Sequence, residues 1–255
     1  MTTIESIKLG GIPTTALIWG PEDGVPVVVA HSAGLDAASL TSFGTAAAQR
    51  GHRVHAIDLR GHGHSAARPA QVTLRGMAAD VLEAVELFAL DRPRLLGISM
   101  GGVVAGMAAA ADPSRWRDLA VLCSPDRGYP AFESRAVAWR EGMAMIARET
   151  IERWFTETDL AERPSHVVEA EATVRAMHPL RWDAVWRDFA QFEGWSRPEG
   201  LPVRSFAGAR DVSTPPAVVQ RIADVLGAEL TVLPDAPHQL LYTHVDEVLD
   251  AWGAA

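Results

Sequence analysis

The stretch from Leu95 to Ala111 constrains this chain more than any other. Two leucines, Leu95 and Leu96, lead into Gly97-Ile98-Ser99-Met100-Gly101-Gly102, and small apolar residues follow from Val103 onward. The pattern reads as a strand, a sharp turn and a helix, with a serine at the apex. Such a turn strains the serine backbone, so the flanking positions need glycine. The hydroxyl then stands above a sheet edge, and the N-terminus of the next helix points at any anion formed there. The chemistry implied is acyl transfer with Ser99 as nucleophile. Gly-x-Ser-x-Gly by itself is a weak signal, since a glycine-rich turn can simply pack a helix close to a sheet. Ser99 therefore needs partners from elsewhere in the chain.

The rest of the chain supplies a scaffold for that turn. Ile4–Leu9 and Thr14–Trp19 read as an opening hairpin around Gly10-Gly11. Pro26–Ala30, His52–Asp58, Arg94–Ile98, Leu119–Cys123, Pro202–Gly208 and Leu230–Leu233 read as further strands. Helical patterns lie between them, as over Leu74–Leu90 with Met77, Val81, Ala84, Val85 and Phe88 on one face. Strand–helix alternation predicts an α/β fold with right-handed crossovers and a mostly parallel sheet. From Tyr129 to Glu199 only helical periodicity appears, with Trp139, Trp154, Trp182, Trp186 and Trp195. This predicts a core of residues 1–128 and 200–255 and a helical cap of residues 129–199 lying over the carboxyl edge of the sheet.

A serine hydroxyl needs a base, and the base needs an acid to orient it. For a serine on a strand-to-helix turn, the partners follow in the order acid, then histidine. His238 lies in Asp235-Ala236-Pro237-His238-Gln239, after the last strand. Asp211 lies in Gly208-Ala209-Arg210-Asp211, after the strand before it. Both loops sit at the same sheet edge as Ser99. Asp126, in Ser124-Pro125-Asp126, is a competing acid. Read singly, Asp211 is a turn residue and His238 a loop histidine; the three together specify a hydrolase site. A tetrahedral intermediate also needs two backbone N–H donors. Met100, after the nucleophile, offers one, and Ala33 in His31-Ser32-Ala33-Gly34 the other.

The remaining histidines do not make a metal site. His52 and His55 are three apart on a strand and face opposite ways. His62 and His64 share a glycine-rich loop without cysteine or carboxylate at zinc-like spacing. Cys123, the single cysteine, stands in an apolar run that reads as buried and excludes an internal disulfide. No metal and no cofactor are expected. Over 255 residues the net charge of −9 argues against nucleic acid and anionic membrane as partners, leaving a small-molecule substrate. The segment Met1–Glu5 has neither a basic nor an apolar leader character, and the longest apolar run, Met100–Ala111, is too short for a bilayer. A cytoplasmic protein is expected.

Taken with Asp58-Leu59-Arg60-Gly61-His62-Gly63-His64-Ser65, these motifs resemble the α/β-hydrolase family over nearly the whole chain and in the family's order. The resemblance implies an eight-stranded, mostly parallel sheet, a helical cap and no cofactor. Within the cap, Arg135-Ala136-Val137, Glu141-Gly142-Met143 and Glu152-Arg153-Trp154-Phe155-Thr156 resemble the 3-oxoadipate enol-lactonases. That narrower resemblance implies a carboxylic ester hydrolase in which Ser99 attacks a lactone carbonyl, with Arg135 meeting a substrate carboxylate. Trp139 and Trp154 complete the expected substrate-binding set. Phe132, Trp182–Trp186 and His238-Gln239-Leu240 depart from that subgroup's pattern, which bears on the substrate and leaves the chemistry intact. A general carboxylesterase, a cofactor-free perhydrolase and a non-catalytic small-molecule receptor stay open as alternatives.

Overall fold

The computed structural model describes residues 2–253. Its strands are β1 (Thr2–Leu9), β2 (Ile12–Trp19), β3 (Val25–Ala30), β4 (His52–Ile57), β5 (Arg94–Ile98), β6 (Leu119–Leu122), β7 (Val203–Gly208) and β8 (Glu229–Leu233). They form one eight-stranded sheet in the order β1-β2-β4-β3-β5-β6-β7-β8. β2 pairs antiparallel with both β1 and β4, and every other pairing is parallel. The β1–β2 turn is made by Gly10 and Gly11, at φ +55° and +73°, a two-residue connection that side-chain-bearing residues disfavour.

The central strands are apolar on both faces because helices cover both. Val27, Val29, Leu96, Ile98, Ala120 and Leu122 join one apolar layer with Phe43 and Ala47 of α1 (Thr41–Gln49) and Val248, Leu249 and Trp252 of α11 (Val245–Trp252). Val28, Ala30, Leu95, Leu119 and Val121 join the other. There they meet Met77 and Val81 of α2 (Leu74–Leu87), Val103 and Val104 of α3 (Met100–Ala111) and Ile222 of α9 (Pro216–Leu226). This is the pattern expected of a covered parallel sheet. Helix α2 stops before Leu90, the end its periodicity suggests. Ala89 turns left-handed at φ +49°, and the N–H groups of Ala89 and Leu90 bond back to Glu86 and Val85. That arrangement caps the last carbonyls of the helix.

Five helices stand between β6 and β7: α4 (Pro130–Val137), α5 (Met143–Trp154), α6 (Glu157–Glu162), α7 (Ser165–Ala176) and α8 (Pro179–Ala190). Phe132, Trp182, Trp186 and Phe189 stack against one another with ring centroids 5.0–5.7 Å apart. They belong to the same apolar cluster as α2 and α3, so these tryptophans are core and not an exposed contact face. Asp188 on α8 accepts the N–H of Leu74 at 2.7 Å, placing a carboxylate at the N-terminus of α2. No helix among the described residues is long and apolar enough to cross a membrane.

Two buried histidines make the fold acid-sensitive. His55 packs on Phe88 with neither ring nitrogen partnered, and burial, then the Arg53 charge, lowers its pKa to about 4. Burial, then His31, lowers His62 to about 3. Both folded values lie below the unfolded one, so the stability these rings contribute is complete above about pH 6.5 and is lost as pH drops from there towards the folded values. His55→Leu should therefore narrow the gap in thermal midpoint between pH 7 and pH 5. A gap equal to that of the wild type would contradict this.

Candidate active site

The turn after β5 puts Ser99 at φ 57° and ψ −121°, a conformation that side-chain-bearing residues rarely take. Both neighbouring glycines are required by space. A Cβ on Gly97 would overlap the carbonyl of Gly101, and one on Gly101 would overlap the carbonyl of Ala30. Ser124, just beyond β6, donates its hydroxyl to the Ser99 carbonyl at 2.9 Å and braces the turn. Ser99 itself is partly exposed, while Met100, the first residue of α3, is buried.

Two further loops converge on this edge. His238, 1% exposed, donates from Nδ1 to Oδ2 of Asp211 at 2.7 Å. That bond fixes the ring tautomer and leaves Nε2 with its lone pair. Asp211 also accepts from the N–H groups of Ser213 and Thr214 at 2.7 and 2.9 Å, and the Thr214 hydroxyl lies 2.7 Å from it. Burial pushes the Asp211 carboxyl up, but the His238 contact and the Thr214 bonds outweigh it and hold the pKa below the ordinary value. Asp126 is engaged elsewhere: its carboxylate pairs with Arg221 on α9 at 2.6 Å and accepts from the Tyr129 hydroxyl.

Ala33 lies in the turn after β3, and among the described residues its N–H has no backbone acceptor. The turn is held from the β4 side. His31 donates from Nδ1 to the Ser32 carbonyl at 2.9 Å and accepts the Leu59 N–H at Nε2 at 3.1 Å. Asp58 accepts the Ala37 and His64 N–H groups at 2.9 and 2.8 Å. Asp58 and Leu59, at the start of the histidine- and glycine-rich loop, thus brace the turn carrying Ala33. Among the described residues one group of possible metal ligands comes together: Cys123, Asp211 and His238. Burial, then the Asp211 charge, pushes the Cys123 thiol well above its ordinary pKa, and a protonated thiol is a poor ligand.

Helix α5 contributes Trp154, whose ring stacks on His238 with centroids 6.0 Å apart and planes at 23°. Trp139 bonds instead to Asp183 of α8, its indole N–H 3.3 Å from the carboxylate, and so ties α8 to the turn between α4 and α5. Arg135 lies over the rings of Phe132 and Trp186 at 5.4 and 5.1 Å and is half-buried. Sequence reasoning missed Arg153. Its Nη2 reaches the buried Thr150 hydroxyl at 3.2 Å, and its Nε is buried without a partner. Burial lowers the pKa of both guanidiniums, and burial together with the Arg153 charge brings that of Arg135 down to about 10. Neither forms a salt bridge among the described residues; the Glu149 charge offsets part of the shift at both, and that of Glu152 part of it at Arg153. The signal for Arg153 was its position directly before Trp154 on the inward turn of α5.

A sequence model of the alpha/beta hydrolase fold matches residues 25–194. The chain is 29% identical over 163 residues to 3-oxoadipate enol-lactonase 1 of Acinetobacter baylyi, a match spanning 62% of this chain and 60% of that protein. It is 25% identical to (E)-2-((N-methylformamido)methylene)succinate hydrolase of the same organism, over 93% of this chain and 94% of the relative. Among solved structures, the enol-lactonase from Burkholderia xenovorans superposes with a TM-score of 0.89 at 25% identity, covering 98% of each chain.

Proposed function

Because the chain belongs to the α/β-hydrolase family, we propose that it is a serine hydrolase of small carboxylic esters or lactones, resembling the 3-oxoadipate enol-lactonases. One observation carries the reading: the buried His238–Asp211 hydrogen bond lies at the sheet edge where the strained turn presents Ser99. The Ser99 hydroxyl gives its proton to His238 Nε2 as Oγ bonds to the carbonyl carbon. The Ala33 and Met100 N–H groups receive the charge that develops on the carbonyl oxygen. The tetrahedral intermediate collapses, the C–O bond to the leaving group breaks, and the His238 proton passes to that oxygen. Water then repeats the sequence on the acyl-enzyme: it gives a proton to His238 as its oxygen bonds to the acyl carbon, the bond from that carbon to Ser99 Oγ breaks, the acid product leaves, and His238 returns the proton to Oγ. Asp211 stays ionised and holds the ring, as its lowered pKa supports.

The substrate carries a free carboxylate in this reading. Arg135 and Arg153 are charged, desolvated and without a salt bridge, with Glu149 acting on both only at longer range, and bringing two such groups together favours an anion between them. Arg153 adjoins Trp154, which roofs His238, so that anion would lie within reach of the acyl chemistry. The relatives named for 3-oxoadipate enol-lactone and for a substituted succinate fit such a substrate.

The test compares kcat/KM for 3-oxoadipate enol-lactone, mono-p-nitrophenyl succinate and p-nitrophenyl butyrate. The lactone should exceed about 10⁵ M⁻¹s⁻¹, within the range of natural substrates. The succinate ester should exceed its neutral counterpart at least about 10-fold, and Arg153→Gln should erase that preference. Turnover of the butyrate ester above both would make the chain a general carboxylesterase. No turnover of any of the three would remove the hydrolase reading.

A further inference from the structure

His238 and Ala33 are carried by loops that leave the sheet far apart. Between β3 and β8 lie β5, β6 and β7, four interstrand steps, or about 19 Å of sheet. Side chains next to each of these two residues nevertheless meet. Gln239 donates from Nε2 to the Ser32 hydroxyl at 3.1 Å, and that hydroxyl lies 3.3 Å from Gln239 Oε1. Ser32 is fully buried and Gln239 is 1% exposed, so the contact is made away from competing water.

Further bonds tie each loop to the strands on its own side. The Ala33 turn is tied to Leu59 through His31 and to Asp58 through Ala37. The His238 loop is tied to the β7 side, through Asp211 and through the Ala236 carbonyl, which accepts the Arg210 N–H. The Ser32–Gln239 contact joins the two loops directly beside His238 and Ala33; further along both segments, Tyr242 and Ser39 also pair through their side chains.

We propose that Ser32 and Gln239 are a positioning pair that fixes the His238 ring relative to the Ala33 N–H. The proposal rests on the serine-hydrolase reading above. Its consequence falls on the tetrahedral stage, where the base and the oxyanion donors must both be in place, and an ångström of misplacement costs heavily. Glutamine suits this role because one neutral amide offers a donor and an acceptor to the same hydroxyl and does not titrate with the base beside it. Substrate binding, which depends on the cap, should hardly change.

The experiment measures kcat, KM and thermal midpoint for Ser32→Ala, Gln239→Met and the double variant, on whichever ester the wild type turns over best. Each single variant should lose about 10- to 100-fold in kcat, with KM within about threefold. The double variant should lose no more than the worse single, since either change alone breaks the pair. If Gln239→Met does not fold, Ser32→Ala, which removes only a hydroxyl, decides by the same criterion. Folded variants that keep kcat within twofold would overturn the pairing, as would multiplicative losses in the double variant, or a rise in KM that accounts for the loss. A wild type inactive on every ester would instead overturn the hydrolase reading.

Discussion

Ser99→Ala is expected to lower kcat/KM by at least about 10⁴-fold, because no other residue at this edge offers an activated nucleophile. The fold should survive, since a partly exposed hydroxyl at the apex of a turn adds little to the core. The backbone demand remains: alanine must still adopt φ 57°, as serine does, so the thermal midpoint should move little. Cys123 cannot substitute. Its side chain is fully buried, and its thiol is held protonated beside Asp211. Activity within a few-fold of the wild type would exclude Ser99 as the nucleophile.

Asp211→Asn carries the second largest expected effect, a fall in kcat of about 10⁴-fold through loss of the tautomer that the carboxylate enforces. The asparagine side chain would have to turn either its NH2 towards His238, donating to Nδ1 and forcing the ring proton onto Nε2, or its oxygen towards His238, which gives up the two backbone bonds that Asp211 Oδ1 now accepts. Asp126→Asn supplies the contrast. It should leave kcat within about threefold and act mainly on the Arg221 and Tyr129 contacts, seen as a small loss of thermal stability. Steady-state kinetics on both variants decides. A large loss in Asp126→Asn with activity kept in Asp211→Asn would transfer the acid role to Asp126.

The sheet and the converging loops were legible in the sequence because they obey local rules. A covered parallel strand is apolar on both faces, as Val27–Ala30 and Leu95–Ile98 are, and each loop of interest follows such a strand directly. The strained serine is legible because only glycine can flank it. What was not legible depends on contacts between distant segments. Asp126 and Asp211 both follow core strands, and what separates them in the structure is Arg221, 95 residues from Asp126, against His238, 27 residues from Asp211. Trp139 and Trp154 look alike in the cap sequence, yet one ties helices together and the other covers His238. Arg153 and Gln239 carry no motif. Their contacts, Arg153 with Thr150 and Gln239 with Ser32, come from helix packing and from the meeting of two loops distant in sequence.

A hydrolase working in this way passes through a covalent acyl-enzyme at Ser99, and intact-protein mass spectrometry after treatment with a fluorophosphonate tests for that nucleophile most directly. One adduct per chain is expected, mapped to the peptide that contains Ser99, absent from Ser99→Ala and formed far more slowly by Asp211→Asn. An unmodified wild-type chain, or an adduct that persists in Ser99→Ala, would contradict it.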